Sequence, residues 1–332
     1  MKTAVVGSGA WGTALAICLY KNGHDVTLWV RSAQKAEQMA ADRINPRLPG
    51  VKLPEQMEIR ADISCVADKD MVVFASPSFA LREVSRAAAP FLDEKTVLVS
   101  VTKGIEENTL LRMSQVVEQE TGLPVVALTG PSHAEEVALG IPTGCVAASP
   151  DQQKAELVQD AFMSDYFRIY TSPDIVGAEL GGALKNVIAL CTGVTDGMGL
   201  GDNTKAMLMT RGLTEIARLG VSLGASRDTL AGLAGVGDLI VTCTSVHSRN
   251  RRSGVFIGQG KSPQEAMEAV GAVVEGYYAT KSAWTLGQQQ GVDMPIVGAA
   301  YAVLYEGATA EEAVQRLLSR QKKAELEDAR WM

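Results

Sequence analysis

Residues 1–16 of the chain read MKTAVVGSGAWGTALA, and this stretch decides the fold. Met1–Val6 is a short, mostly apolar run that predicts a β-strand, and the Ala-rich run from Thr13 predicts a helix. Between them, Gly7-Ser8-Gly9-Ala10-Trp11-Gly12 has the G-x-G-x-x-G spacing of a dinucleotide-binding turn. The first glycine allows a sharp turn, the second lets a pyrophosphate approach the backbone, and the third lets the helix pack closely on the strand.

The alternative to a nucleotide site is a Gly-rich surface turn. The strand before this turn and the helix after it favour the nucleotide site, because such a site needs all three parts in this order. The N-terminus of the helix would supply free N–H groups and the positive end of its dipole to the phosphates.

Length and composition limit the class of protein. A chain of 332 residues predicts two domains, and 46% hydrophobic with 21% charged residues is typical of a soluble globular protein. The apolar runs fall short of the 18 or so residues of a membrane span, and the first strand lacks the features of a signal peptide. The net charge of −7 argues against a nucleic-acid surface, but a local basic pocket could still bind a small anion.

The cysteines and histidines indicate a cytoplasmic protein without a metal site. Five cysteines, an odd number without a Cys-x-x-Cys pair, predict reduced thiols. The three histidines, His24, His133 and His247, lie far apart in the sequence and have no zinc-ligand spacing.

Strand and helix signals alternate through the first half of the chain. Apolar runs, each followed by turn residues or a polar helical stretch, occur at Val26–Val30, Met71–Ala75, Val97–Val101 and Val125–Leu128. This alternation predicts an α/β fold with a Rossmann-like, doubly wound and mostly parallel sheet. A helix is predicted over Gln152–Met163. The β-like runs Gly144–Ala148 and Phe167–Thr171 flank it.

The character of the chain changes after Ser172-Pro173-Asp174. Strand signals almost vanish, and Ala/Leu/Gly-rich segments with helical spacing fill the rest, ending in a charged stretch, Gln321–Met332, that predicts a frayed helix. We therefore expect a dinucleotide-binding domain over residues 1–172 and an all-helical substrate domain over residues 173–332. A catalytic cleft between them would lie beyond the carboxyl ends of the strands.

The end of the second predicted strand indicates which dinucleotide binds. An NAD site usually has an acidic residue about 20 residues past the glycines, but this chain has Arg31-Ser32 there. Arg31 could stack on adenine and pair with a 2′-phosphate, and Ser32 could add a hydrogen bond, which favours NADP. The alternative is that Arg31 is a solvated surface residue.

Two lysines are candidates for proton transfer. Lys103 follows the strand predicted at Val97–Val101, so it lies where the cleft is expected. Lys185 lies in an apolar helical run, and Gly181 and Gly182 one turn before it would leave room for a planar ring or a substrate beside its ammonium group. The alternative is a lysine that extends to water. A partly desolvated lysine beside a second one would have a lowered pKa and could act as acid and base.

A lone acid and a basic cluster complete the candidate site. Asp238 lies in the apolar run Gly235–Thr242, where it is either a helix cap or a buried partner for a lysine. Arginines in Ser248-Arg249-Asn250-Arg251-Arg252 could bind a phosphate, although such a run is more often simply solvated. Gly130-Pro131-Ser132-His133 resembles a strand-to-helix turn that could bind a phosphate or a sugar.

Over essentially its whole length the chain resembles the bacterial-type NAD(P)-dependent glycerol-3-phosphate dehydrogenases. The segment around Lys185, continuing to Asp196-Gly197 and Gly201-Asp202-Asn203, is the most specific. Cys191 stands where the family more often has Gly or Ala. The other matching motifs are GSGAWGTA at 7–14, TKGIE at 102–106, GPSHA at 130–134, GALKNVIA at 182–189, GVGDL at 235–239, SRN at 248–250 and VEG at 274–276.

The resemblance implies reversible reduction of dihydroxyacetone phosphate to sn-glycerol 3-phosphate, a precursor of phospholipids. It implies that Lys185 accepts the proton in oxidation and that Thr242 supports a catalytic network with Lys103 and Asp238. The implied substrate residues are Lys103, Gly130, Ser132, Lys185, Asp238, Ser248, Arg249 and Asn250. The implied cofactor residues, besides Gly7, Gly9 and Gly12, are Ala10, Trp11, Arg31, Lys103, Ala134, Arg249, Val273 and Glu275.

These observations lead to a set of expectations. NADP(H) is the preferred cofactor, with NAD(H) also accepted, and the substrate phosphate binds Arg249 and Asn250 with its carbonyl near Lys185. We expect a cytoplasmic homodimer that does not bind nucleic acid and does not insert into a membrane. Two rival hypotheses are a hydroxyacid dehydrogenase that acts on a carboxylate, and a non-catalytic NADPH-binding sensor. The sensor would need the glycine turn but not Lys103, Lys185 and Asp238 together.

Overall fold

The computed structural model describes residues 1–325, and the first 172 of these form one eight-stranded sheet. The strands are β1 (Lys2–Val6), β2 (Asp25–Trp29), β3 (Glu58–Arg60), β4 (Met71–Phe74), β5 (Val97–Ser100), β6 (Val125–Thr129), β7 (Thr143–Ala148) and β8 (Phe167–Ser172). Their order in the sheet is β3-β2-β1-β4-β5-β6-β7-β8, and every neighbouring pair is parallel except β6 and β7. The expected doubly wound, mostly parallel sheet is therefore confirmed. The sequence missed only β3, which is too short to give an apolar run.

The helices fall into two groups. Those associated with the sheet are α1 (Ala10–Lys21), α2 (Ala33–Asp42), α3 (Ser78–Ala88), α4 (Met113–Thr121), α5 (Ala134–Ala138) and α6 (Gln152–Phe162). Those that follow are α7 (Ile175–Gly197), α8 (Gly201–Ser222), α9 (Arg227–Ala231), α10 (Asp238–Thr244), α11 (Arg249–Gly258), α12 (Pro263–Val270), α13 (Glu275–Gln290), α14 (Pro295–Tyr305) and α15 (Ala310–Leu318). Within residues 173–325 no strand occurs, as expected. Residues 321–325 are not helical, and the rest of the predicted terminal helix lies outside the described residues.

The central strands are apolar on both faces because helices cover both sides of the sheet. Along β1, Val5 packs into the core on one face, while Ala4 and Val6 pack into the core on the other. The same alternation holds for Val73 and Phe74 in β4. Side chains of a strand alternate between faces, so a sheet buried on both sides needs the continuous apolar runs seen in the sequence.

α7 is the central helix of the second half of the chain. By length and hydropathy it could cross a membrane, but 83% of its apolar window is buried inside the fold. Its apolar character is therefore accounted for by packing in the protein core. It also crosses α11 very closely, because a Cβ at Gly193 would lie 2.1 Å from the backbone oxygen of Arg251, and one at Gly258 would lie 2.1 Å from that of Val194. These glycines allow α11 to pack along its length against the C-terminal turns of α7.

Candidate active site

The glycine turn between β1 and α1 has the geometry expected of a dinucleotide site. Gly7 has a φ of +131°, and a Cβ there would lie 2.6 Å from the oxygen of Ala75. A Cβ at Gly12 would lie 2.1 Å from the oxygen of Gly7. Gly9, in contrast, faces open space, with no atom within 4 Å of a Cβ built there. The first and third glycines are thus required by the fold, and the second leaves its backbone open to a ligand.

One aromatic side chain within this turn, that of Trp11, and one basic side chain after β2, that of Arg31, are further candidates for cofactor contacts. Trp11 lies edge-on to Phe167, and its buried indole N–H has no hydrogen-bond partner among residues 1–325. Arg31 follows β2 and is exposed, and its side chain makes no hydrogen bond or ion pair with the described part of the chain. Ser32 beside it caps α2 by accepting a hydrogen bond from the backbone N–H of Lys35 at 3.4 Å. The open Gly9 and the unpaired groups of Trp11 and Arg31 fit a bound dinucleotide phosphate.

The two candidate lysines meet at one carboxylate. Lys103, just beyond β5, donates a hydrogen bond to Oδ2 of Asp238 at 2.6 Å and another to the backbone oxygen of Gly130 at 3.0 Å. Lys185, from the middle of α7, contacts Oδ1 of the same Asp238 and donates to Oγ1 of Thr242 at 2.7 Å. Thr242 in turn donates to the backbone oxygen of Asp238 at 2.6 Å. Asp238 is therefore a buried partner for both lysines.

Burial controls the electrostatics of this cluster. Asp238 is fully buried and Lys185 is 6% exposed. Burial lowers the pKa of Lys185 from 10.5 to about 7; the charge of Asp238 opposes this shift and that of Lys103 adds to it. The alternative of a lysine extended to water is therefore wrong, and the chain holds an amine that can exchange a proton near neutral pH.

The role expected for Gly181 and Gly182 was wrong. A Cβ at Gly181 would lie 2.5 Å from the backbone oxygen of Ala234, and one at Gly182 would lie 2.7 Å from Oγ1 of Thr129. Both positions are occupied by packed protein, so no room for a ring or a substrate opens there. The glycines instead let α7 pack against β6 and the turn before α10, which brings Lys185 to the end of the strand.

The turn after β6 carries Gly130 and Ser132 into the same region. Gly130 has a φ of +147°, and its backbone oxygen accepts hydrogen bonds from Lys103 and from the hydroxyl of Ser132 at 3.0 Å. Ala134 begins α5, with His133 as its N-cap residue. Burial and the charge of Lys185 lower the pKa of His133, whose ring centroid lies 5.9 Å from that of His247.

The basic cluster divides into separate roles. Ser248 caps α11 by accepting a hydrogen bond from the N–H of Arg251 at 3.2 Å, and the guanidinium of Arg251 pairs with Asp196 at 2.7 Å. The amide of Asn250 is buried and bridges Oδ1 of Asn186 and the N–H of Gly276. Arg249 is exposed at the start of the helix. Of the three arginines in this run, Arg249 and Arg252 are exposed, and Arg251 is partly buried and paired with Asp196.

Glu275 and Val273 lie where α13 begins. Oε2 of Glu275 accepts a hydrogen bond from the hydroxyl of Ser78 at 2.6 Å, which joins α13 to the start of α3. Val273 is part of the loop just before this helix. Sequence reasoning gave no role to three residues that support the site: Ser78, Asn186 and Asp196. Asn186 and Asp196 both lie in the specific segment around Lys185, and that position was the available signal.

The described residues 1–325 contain no group of three or more His, Cys, Asp or Glu side chains that could hold a metal ion. The cluster around Asp238 itself offers two amines, a carboxylate and a hydroxyl. A mostly parallel sheet with a glycine turn after its first strand, together with a buried lysine of lowered pKa, is typical of the Rossmann-fold dehydrogenases.

Comparison with known proteins identifies the family. Residues 2–155 match the family model described as the N-terminus of NAD-dependent glycerol-3-phosphate dehydrogenase, and residues 174–315 match the model of its C-terminus. The chain belongs to this family.

Relatives support the assignment over nearly the full length. The glycerol-3-phosphate dehydrogenase [NAD(P)+] of Pelotomaculum thermopropionicum is 53% identical, over 98% of this chain and 95% of the relative. The enzyme of the same name from Bacillus subtilis is 49% identical, over 98% of this chain and 96% of the relative. The crystal structure of glycerol-3-phosphate dehydrogenase from Coxiella burnetii superposes with a TM-score of 0.92 at 38% identity, covering 96% of this chain and 99% of that one.

Proposed function

We propose that the protein catalyses the reversible, NAD(P)H-dependent reduction of dihydroxyacetone phosphate to sn-glycerol 3-phosphate. The observation that carries this proposal is the buried contact of Lys185 and Lys103 with one carboxylate, Asp238, at the carboxyl edge of the sheet. The substrate follows from the family to which the chain belongs. When bound, the nicotinamide supplies hydride for reduction or accepts it in oxidation.

Lys185 is the acid and the base of this reaction. In reduction its ammonium form donates a proton to the oxygen that becomes the hydroxyl, and in oxidation its neutral form removes that proton. A pKa lowered to about 7 keeps both forms populated near neutral pH. Thr242 supports the role because its hydroxyl accepts a hydrogen bond from Lys185 and fixes the direction of the amine.

Lys103 and Asp238 set the charge around Lys185. Asp238 accepts a hydrogen bond from each of the two lysines, and the charge of Lys103 disfavours protonation of Lys185. Lys103 remains partly accessible, with 19% of its side chain exposed, so it can also contact the substrate. Gly130 and Ser132 border the same space through their hydrogen bonds with Lys103 and each other.

The substrate phosphate binds at the N-terminus of α11. The exposed guanidinium of Arg249 has no hydrogen bond within the described residues, and it can bind a phosphate with two parallel N–H donors. Asn250 adds the amide hydrogen that is not donated to Asn186. Ser248 contributes through its hydroxyl hydrogen, because its oxygen already accepts the N–H of Arg251.

The cofactor lies on the glycine turn, with NADP(H) preferred and NAD(H) also accepted. The absence of an acidic residue after β2 and the unpaired Arg31 support the preference for a 2′-phosphate. The residues proposed to contact the dinucleotide are Gly7, Gly9, Ala10, Trp11, Gly12, Arg31, Lys103, Ala134, Arg249, Val273 and Glu275.

We extend the proposal to the organisation of the protein. Residues 1–172 form the dinucleotide-binding domain and residues 173–332 the substrate domain, supported by the change from strands to helices after Ser172. The protein is a cytoplasmic homodimer. Exposed apolar residues on and beside α8, such as Leu200 and Met207, support a contact between copies. Light scattering coupled to size-exclusion chromatography tests this, and a monomeric mass would contradict it.

One assay tests the catalytic proposal. Purified protein is mixed with NADPH and dihydroxyacetone phosphate, and the decrease in NADPH absorbance is followed. In one parallel reaction NADH replaces NADPH. In two others, unphosphorylated dihydroxyacetone or a 2-oxo acid replaces dihydroxyacetone phosphate. We expect turnover only with the phosphorylated ketone. Turnover of the 2-oxo acid would instead support a hydroxyacid dehydrogenase, and binding of NADPH without turnover of any substrate would support a sensor.

A further inference from the structure

Ser78 stands at the point in the sheet where a ligand is expected to bind. From β1 the strand order runs through β2 on one side and β4 on the other, so the topological switch lies between β1 and β4. Ser78 begins α3, four residues after β4 ends. The loop between them touches the glycine turn, since a Cβ at Gly7 would lie 2.6 Å from the oxygen of Ala75.

Ser78 binds a carboxylate that comes from the other half of the chain. Its hydroxyl donates to Oε2 of Glu275 at 2.6 Å, and its backbone N–H donates to Oε1 at 3.4 Å. The first contact has the short length of an O–H hydrogen bond to a charged oxygen. The carboxylate also lies at the N-terminus of α3, where the helix dipole favours negative charge. Both carboxylate oxygens of Glu275 are therefore held by Ser78, a residue of the sheet half of the chain.

The neighbours of this pair place it near the catalytic lysines. A Cβ built on Gly104 would lie 2.7 Å from Cβ of Ser78 and 3.8 Å from Oε2 of Glu275. Gly104 directly follows Lys103, which contacts Asp238. The Glu275 carboxylate thus lies beside the loop that carries a catalytic lysine. Arg31 and the adenine end of the proposed cofactor site follow β2, on the other side of β1.

We propose that Ser78 is a positioning residue for the nicotinamide half of the cofactor. It orients the Glu275 carboxylate so that the carboxylate accepts hydrogen bonds from the carboxamide or the ribose hydroxyls of that half. The proposal rests on the proposed function, because it needs a nicotinamide dinucleotide in the cleft. The same junction continues outward as a contact between the rings of Phe79 and Tyr278, whose centroids are 6.3 Å apart.

The test measures binding rather than turnover. The dissociation constants of NADPH and of adenosine 2′,5′-bisphosphate, which lacks the nicotinamide half, are determined by calorimetry for the wild type and for Ser78→Ala. We expect Ser78→Ala to weaken NADPH binding about ten-fold, the effect of losing a hydrogen bond to a charged group. Binding of the bisphosphate should change less than about two-fold.

A matched control and a double variant isolate the mechanism. Ser85 is buried on the same helix, and its hydroxyl has no partner among the described residues, so Ser85→Ala should leave both dissociation constants unchanged. In a Glu275→Ala background the Ser78→Ala change should have no further effect, because Ser78 acts through that carboxylate.

The other possible results of these titrations contradict either the role of Ser78 or the proposed function. Unchanged NADPH binding by Ser78→Ala, an equal loss for both ligands, or additive losses in the double variant would overturn the role of Ser78. A wild-type protein that binds neither NADPH nor NADH would contradict the proposed function itself. These two failures are therefore distinguishable in one set of titrations.

Discussion

Lys185 and Asp238 form a buried ion pair that joins the centre of α7 to the first residue of α10. Neither side chain is more than 7% exposed. The pair is shared, because Lys103 binds the second oxygen of the same carboxylate. A single carboxylate therefore serves two lysines, and the cluster has an excess of positive charge whenever Lys185 is protonated. This imbalance suits a site for a phosphorylated, anionic substrate.

Replacing Lys185 should abolish proton transfer while leaving the cofactor site intact. We expect Lys185→Ala to reduce kcat about a hundred- to ten-thousand-fold, the usual range for loss of a general acid–base group. Asp238 would keep Lys103 as its partner, so the protein should remain folded. NADPH titration measures the cofactor site, and Lys281→Ala, at a partly exposed lysine that pairs with Glu107 outside the cluster, is the control. Near wild-type turnover by Lys185→Ala would rule out the assigned role.

The rates in the two directions should depend on pH with opposite sign. Burial lowers the pKa of Lys185 to about 7, so its neutral form increases as the pH rises through that value. Oxidation of glycerol 3-phosphate needs the neutral amine and should become faster, whereas reduction needs the ammonium form and should become slower. Profiles of kcat/KM between pH 5.5 and 9, a range of about 1.5 units or more on either side of this pKa, measure both rates. Profiles that change in the same direction would argue against a single acid–base lysine.

Removing the shared carboxylate should affect both stability and the pH profile. Asp238→Asn leaves two buried or half-buried ammonium groups without their counter-charge, which we expect to cost about 3–5 kcal/mol of unfolding free energy. Because the charge of Asp238 raises the pKa of Lys185, its loss should also move the pH profile of oxidation to lower pH. Urea unfolding and the kcat/KM profile measure the two effects. A profile shifted to higher pH would contradict the electrostatic explanation.

Two glycines of the N-terminal turn should respond differently to alanine. A methyl group at Gly12 would meet the backbone oxygen of Gly7 at 2.1 Å, so Gly12→Ala should destabilise the fold by about 3 kcal/mol. Gly9→Ala faces open space and should change stability by less than about 0.5 kcal/mol. It should nevertheless weaken NADPH binding about ten-fold, or about 1.4 kcal/mol, because the methyl occupies the approach of the pyrophosphate. Normal NADPH binding by a folded Gly9→Ala protein would contradict this.

Arg31 should determine the choice between the two dinucleotides. We expect Arg31→Ala to weaken NADPH binding about ten-fold, from loss of a charge-assisted hydrogen bond to the 2′-phosphate, and to leave NADH binding unchanged. Fluorescence titrations of both cofactors measure the ratio. Lys154→Ala on α6 removes a positive charge elsewhere on the sheet half and is the control. Equal losses for NADPH and NADH would show that Arg31 does not read the phosphate.

Much of the fold could be predicted because local patterns specify it. The apolar runs at β4, β5 and β6 predicted those strands to within about two residues, because a sheet covered on both faces needs almost continuous apolar runs. β3 has three residues, only one of them apolar, and gave no such signal. The antiparallel pairing of β6 and β7 could not be predicted either. The side chains of a buried strand do not show whether its neighbour runs parallel or antiparallel to it.

The residues of the candidate site could be predicted from motifs, but their contacts with distant residues could not. Motifs located Lys103, Lys185 and Asp238, but the two glycines before Lys185 were given the wrong role. Their neighbours, Thr129 and Ala234, come from distant parts of the chain. The amide of Asn250 is likewise committed to Asn186 and Gly276, which sequence spacing alone could not show.

By itself, the sequence determined the dinucleotide turn, the alternating strands and helices, and the residue types available for proton transfer. These properties depend on neighbours within a few positions along the chain, where spacing and geometry are directly linked. The tertiary structure decided that one carboxylate serves two lysines, how deeply Lys185 is buried, and that Ser78 at the start of α3 contacts Glu275 at the start of α13. Burial and long-range contact depend on residues 50 to 200 positions apart, such as the 197 positions between Ser78 and Glu275, so only folding brings them together.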